Sequence, residues 1–265
     1  LTFQQWREAF DINPSISLVN GAKLSLMLNP ISIDFKKNWL SKLVLKGEVK
    51  SQELRFKDCN HSFFSINHLR IPFSIDNRHN FLHLQLFGET FTSGDKKSNP
   101  LYGDLKMEDW FQKDHFSFDL SKTELSSHFI ALPTSFISPL VFNHKDLSPL
   151  LGKRLDIELK TLFDSEKQEI GYWDMNIDSS TLHAKARLFL EKAATLYKSK
   201  NPTAIIRWKV TPEAYSFLKN DFFKELKGSL VEPFTITTHL SSLHIPLPFQ
   251  KTSLTKGEFK ALLST

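Results

Sequence analysis

The chain has 265 residues, enough for one large domain or two small ones with a core that needs no disulfide or metal staple. Lys and Arg number 34 against 29 Asp and Glu, a net charge of +5 that favours acidic partners in general, and 24 Phe must pack somewhere. The single Cys59 excludes an intramolecular disulfide and sets the expectation of a reducing, cytoplasmic compartment, while no apolar run is long enough to suggest a membrane span.

The opening segment places Phe3, Trp6 and Phe10 at helical spacing behind Thr2 and stops at Asn13-Pro14, which predicts a short amphipathic helix. The chain opens on Leu1, which is compatible with a processed N-terminus. From Ser15 the period changes to two, with Leu24-Leu26-Leu28 and Ile31-Ile33-Phe35 punctuated by Asn20-Gly21 and Asn29-Pro30. The alternation resumes in Leu43-Leu45, Leu54-Phe56, Leu69-Ile71-Phe73, Leu82-Leu84-Leu86, Phe116-Phe118-Leu120, Leu140-Phe142 and Leu155-Ile157-Leu159, and each reads as a strand. Thr92 to Gly103 concentrates turn formers and charge and reads as an exposed loop.

After Asp178 the texture turns helical. Leu182, Ala186, Phe189, Ala193 and Leu196 repeat at helical spacing up to Asn201-Pro202, predicting a helix there. Ile206, Trp208 and Val210 then alternate, and Thr211-Pro212-Glu213 supplies an N-cap, a first-turn proline and an acidic start for a second helix whose C-terminal cap is Gly228. Strands are predicted around Phe234-Ile236 and Leu243-Ile245-Leu247, and Thr255 with Glu258 forms a capping box for a last helix carrying Phe259.

The glycines stand singly, so neither a dinucleotide turn nor a phosphate-cradling loop can be built, and the nucleophile elbow is missing. The S-x-x-K matches Ser93–Lys96 and Ser253–Lys256 read as turn and cap residues. His79 with His83 and Cys59 with His61 give no complete ligand set, so neither a metal nor a cofactor is expected.

Asp146 followed by Glu158 and Lys160 resembles the PD-(D/E)xK nuclease pattern. The resemblance implies two carboxylates holding Mg²⁺ against a phosphate and a lysine that orients the attacking water. The same stretch is equally the polar side of a strand whose other side is Leu155, Ile157 and Leu159, and that is the reading preferred. Lys153 to Thr181 looks like part of a C2-type β-sandwich, without the clustered aspartates that bind calcium.

Two basic regions remain, 36–57 with Lys42, Lys46 and Lys50, and 185–227 with Lys185, Lys192, Arg207 and Lys209. The expected architecture is α+β: a β-rich sandwich-like body over 1–178, followed by a smaller α/β portion over 179–265 packed on it. The expected function is a non-enzymatic interaction module or subunit of a larger protein assembly, with contacts at Trp6, Phe10 and Phe259. The alternative is nucleic-acid binding through the basic regions, with Mg²⁺-dependent cleavage as its enzymatic extreme.

Overall fold

Apolar residues at every second position leave each strand one apolar side, and pairing strands in register gathers those sides onto one face of a sheet. The computed structural model describes residues 17–19, 23–29, 42–57, 63–92, 95, 97–112, 115–116, 122–141, 146–164, 169–191, 194–198, 204–221, 223–225, 227–246 and 258–264. Its strands are β1 (Ser17–Leu18), β2 (Ser25–Leu28), β3 (Val44–Lys57), β4 (Phe63–Asp76), β5 (Phe81–Thr92), β6 (Asn99–Glu108), β7 (Phe111–Gln112) and β8 (His115–Phe116). There follow β9 (Thr123–Pro133), β10 (Arg154–Asp164), β11 (Glu169–Asp178), β12 (Leu182–Glu191), β13 (Ala194–Lys198), β14 (Ala204–Val210), β15 (Phe234–Pro246) and β16 (Glu258–Ser264).

Apart from the β7–β8 ribbon, these strands join one 14-stranded sheet in the order β1-β3-β4-β5-β6-β9-β10-β11-β12-β13-β15-β14, with β2 added to β3 and β16 to β15. The ladders are antiparallel throughout, and most neighbours are consecutive in the chain. Among the described residues three helices, α1 (Thr134–Val141), α2 (Ser148–Leu151) and α3 (Pro212–Asp221), leave from or lead into the same end of the sheet. No helix among the described residues is long and apolar enough to cross a membrane.

This corrects the expected α+β fold. The β-rich part is a single sheet, not a two-sheet sandwich, and the C-terminal part extends that sheet: β11 pairs with β12 from Tyr172↔Phe189 to Asp178↔His183. The C2-like stretch likewise continues the same sheet.

The helix expected after Asp178 is β12 followed by β13. Leu182 and Ala186 satisfy a helical period and a period of two at once, and Ala184 and Leu188 complete the second pattern. Alanine, a strong helix former, sits here because its neighbours across the ladder are large: Ala184 lies between Ile177 and Ile206, and Ala186 opposite Met175. Tertiary pairing overrides the local preference. The expected terminal helix is strand β16, whose Leu263 and Ala261 pair with Thr238 and Leu240.

The helix after Thr211 is present as expected, with Ala214 N–H donating to the Thr211 hydroxyl at 3.1 Å. It ends at Asp221, before Gly228. Leu140, expected in a strand, belongs to α1, and β6 starts at Asn99 inside the expected loop. The first expected helix lies outside the described residues.

The strand assignment of 182–191 separates two substitutions that a helix would not. Ala184, 8% exposed on the apolar side, should not tolerate Asp: Ala184→Asp is expected to lose about 3 kcal/mol through burial of an unpaired carboxylate. Lys185→Asp, on the exposed side, is expected to stay within about 0.5 kcal/mol. Denaturant unfolding of both variants, followed by tryptophan fluorescence, measures the difference.

Candidate functional site

The register defines the apolar face. Val49, Ile71, Leu86, Gly103, Ser127 and Leu159 share it with Leu54, Ile66, Leu84, Leu105, Met175 and Ile206. No charged side chain lies on this face among the described residues of β3–β6, β9–β12 and β14. Charges such as Glu48, Arg70, Asp104, Lys106, Glu124, Lys160, Asp174 and Arg187 occupy the other.

The sheet curls toward its apolar side at the helix end. In a flat sheet β5 and β9, which flank β6, would stand about 9.6 Å apart at ~4.8 Å per step. Yet the Thr90 hydroxyl, on the apolar face and 1% exposed, lies 3.3 Å from both Asn99 O of β6 and Ile130 O of β9. Ala131, in a β9 bulge with φ of 53°, turns its N–H to Asp156 Oδ1 at 2.7 Å. We therefore call the apolar face inner and the charged face outer. A transmembrane barrel has the reverse arrangement, with its apolar residues outside.

At the helix end this inner face is filled. Phe64, Leu101 and Leu132 are 5%, 6% and 9% exposed, and Phe56, Ile66, Leu86, Phe129, Ile157 and the α1 residues Phe136 and Ile137 pack against them. Toward the middle of the strands no second layer of described residues follows. Ile71, Phe73, Leu84, Leu105, Leu159, Met175 and Ile206 are half-buried, forming an apolar band that crosses the sheet from β4 to β14.

Several polar groups on this face are spent within the sheet itself. The Ser51 hydroxyl donates to Glu53 O, Thr90 is spent as above, and Thr161 accepts from Leu125 N–H at 2.8 Å where the β9–β10 ladder ends. Among the described residues of this face, the Trp173 indole N–H is buried without a hydrogen-bond partner. Gly47 keeps the wall low near the β2 edge: a Cβ there would meet Met27 O at 2.6 Å and the Phe73 ring at 2.7 Å.

The residues singled out in the sequence lie elsewhere. Glu158 and Lys160 are exposed on the outer side of β10, Lys160 in a shallow crevice with Asp104, Lys106 and Glu124. Asp146 stands before α2, where Ser148 donates to it from its N–H at 2.9 Å and from its hydroxyl at 2.5 Å. Glu158 is four residues into the strand, about 13 Å from its start. The described residues contain no cluster of three or more His, Cys, Asp or Glu able to hold a metal ion.

Lys46, Lys50, Lys185, Arg207 and Lys209 all belong to the outer face, but β3 and β12 are seven ladder steps, about 34 Å, apart along it. Acids stand between and among them. Lys50 and Arg70 hold the Glu48 carboxyl below its usual range, through hydrogen bonds at 2.8 and 2.7 Å, and Glu124 likewise raises the Lys106 ammonium. Lys42 is exposed just before β3. Trp6, Phe10 and Lys192 lie outside the described residues, and Phe259 is in β16 opposite Leu243. No family model, curated protein or solved structure matches this chain.

The inner band was not singled out in the sequence. Its signal was the alternation itself, read there as one half of a sandwich.

Asp95 ties the loop after β5 to β10 beside the filled end. Burial alone would raise its carboxyl, but the Thr92 hydroxyl and N–H and the Arg154 guanidinium outweigh that and hold it below the ordinary value. A depressed folded value stabilises above the unfolded one, near 3.8, and that contribution is lost as pH falls through the folded value. Asp95→Asn should therefore cost about 1–2 kcal/mol at neutral pH. In thermal melts from neutral pH downward, the gap to wild type should close only below the ordinary carboxyl range.

Proposed function

We propose that this chain binds long-chain acyl groups on the inner face of its sheet. The observation that carries the reading is a continuous apolar band, half-buried and without a second layer of described residues, inside a sheet that curls toward it. Contiguous exposed apolar surface of this kind marks a binding site in soluble domains.

The chemistry of the wall selects the occupant. Every strand of the band already spends its backbone groups in ladders on both sides, and the hydroxyls described above are spent on backbone. A peptide or nucleic acid laid there would bring polar groups that find no partners, at a cost of about 1–3 kcal/mol each. A hydrocarbon chain brings none. Each methylene it buries is worth about 0.8 kcal/mol, and the half-buried Leu, Ile, Phe and Met side chains gain the same burial. The strand stretch from Leu84 to Gly88 on β5 with its neighbours is of the order of an acyl chain's depth in one leaflet, ~15 Å.

The test titrates the full chain with hexadecanoate brominated on its chain, following quenching of tryptophan fluorescence, since Trp173 and Trp208 lie on the inner face. A second arm incubates the protein with phosphatidylcholine vesicles, reisolates it and extracts bound lipid, which distinguishes a free fatty acid from a phospholipid as the source of the chain. Saturable quenching is expected in wild type and in Lys106→Leu on the outer face, and a loss of at least about tenfold in Leu105→Lys, which places a charge in the band. Absence of both quenching and extracted lipid, or equal binding by a folded Leu105→Lys variant, would sink the proposal.

A further inference from the structure

We infer that α1 is a plug limiting how long an acyl chain the inner face accepts, and that Phe136 is the residue setting the limit; this rests on the acyl-binding reading above. The helix starts directly after β9, with Pro133 the last strand residue and Thr134 the first of the helix. Thr134 is fully buried and fixes the start: its N–H donates to Lys153 O at 3.0 Å and its hydroxyl to Gly152 O at 2.5 Å.

From that anchor Phe136 reaches across the inner face. Its ring stands 5.2 Å from Phe56 of β3, edge-on, and 4.9 Å from Phe64 of β4. Phe56 and Phe64 are themselves cross-strand partners on the inner face, with ring centroids 6.1 Å apart. The plug therefore covers wall of the same kind as the band. Leu86, Phe129 and Ile157 form its border: they pack against the buried cluster yet remain half-buried themselves.

Two features separate a plug from an ordinary piece of core. The buried cluster coincides with the place where α1 lies on the sheet, whereas past the border Ile71, Leu84, Leu105 and Leu159 are only half-buried, until Leu82, Met107 and Thr123 are buried again at the far end of the same face. The cover is also carried by α1 side chains on an eight-residue helix, Phe136 with Ile137, and the Phe136 ring is its largest part, so removing that ring extends the band without altering a strand. An acyl chain lying across the band along the strand direction of β4 and β5 would meet Phe136 at the helix end, where the half-buried wall stops. Beyond that point further methylenes gain no burial, whereas each one accepted is worth about a fourfold gain in affinity.

The experiment measures dissociation constants of dodecanoate, hexadecanoate and eicosanoate, with the intermediate even-numbered acids, for the full-length wild type, Phe136→Ala and Leu86→Phe. In wild type, affinity should climb with chain length and then level off. Phe136→Ala should move the plateau to longer acids, with about a fifteenfold gain for the first two-carbon extension past the wild-type limit and dodecanoate binding unchanged. Leu86→Phe adds bulk at the border without emptying the cluster, so it serves if the alanine variant does not fold, and it should move the plateau to shorter acids. A plateau at the wild-type length in every variant that folds overturns the inference while leaving acyl binding intact. Wild type that binds none of the acids overturns both.

Discussion

A sheet patterned with period two has one apolar face, and everything else in this structure follows from how that face is shielded from water. Where helices are scarce, as here, the sheet is left to shield itself by bending. Thr90 captures the bend in one residue: its hydroxyl, buried on the apolar side, lies within hydrogen-bonding distance of carbonyls on two successive strands beyond its own. Once β5 and β9 approach across β6, α1 can lie inside the curve and touch β3, β4 and β9 together. The aromatic rings of Phe56, Phe64 and Phe136 then fill the space that the curvature encloses. The packing there uses large, rigid groups that gain both area and edge-to-face contacts, about 0.5–1.5 kcal/mol per ring pair beyond burial.

Much of the strand content was legible because alternation is a direct consequence of backbone geometry. Leu69-Ile71-Phe73 and Leu82-Leu84-Leu86 fall within β4 and β5 and face each other's neighbours on the same side. The layering was not legible. A strand with one apolar side signals that something covers that side, but a second sheet, a helix layer, curvature and a ligand all produce the same pattern. The expected sandwich chose the commonest cover, and no local feature of Ile71 or Leu105 discriminates among the four. The helix assigned after Asp178 failed differently: Leu182 and Ala186 fit two periods at once, and only the partners Ile177, Met175 and Ile206 decide between them.

The outer face explains why charge patterns near Glu158 and Lys160 drew a catalytic reading. Across the strands its residues form mixed rows, for instance Asp104, Ser126, Lys160, Asp174 and Arg187, each opposite the next on the adjacent strand. Arg187 and Asp174 make a two-point pair at 2.6 and 2.8 Å, and Glu48 is shared between Lys50 and Arg70. Acid and base alternating at 4.5–5.5 Å spacing is how neighbouring strands avoid like-charge repulsion. Carboxylates two residues from a lysine are therefore a natural product of this face, and the sequence pattern that resembles a nuclease centre follows without any metal chemistry. Among the described residues the basic regions are diluted in the same way, Lys50 and Arg70 by Glu48 and Arg187 by Asp174.

The chain demonstrates at its helix end that it can bury this apolar face. Two short helices do so there, α1 fixed by Thr134 and α2 held by the Thr181 hydroxyl and the Trp208 indole, which both donate to Leu150 O, at 3.0 and 2.8 Å. A sequence selected for stability alone would carry the same solution along the strands, since each further buried Leu or Ile is worth about 1.5–3 kcal/mol. Among the described residues this cover stops at Leu86, Phe129 and Ile157, and the middle of the wall at Ile71, Leu84, Leu105 and Leu159 keeps its hydrocarbon character while only half-buried, before Leu82 and Met107 are buried again at the far end. Forgone burial on that scale is a recurrent mark of surfaces kept for an occupant, because a ligand supplies the missing layer and is in turn held by it. The stability left out of the fold is then recovered on binding, which links the resting openness of the band to its proposed use.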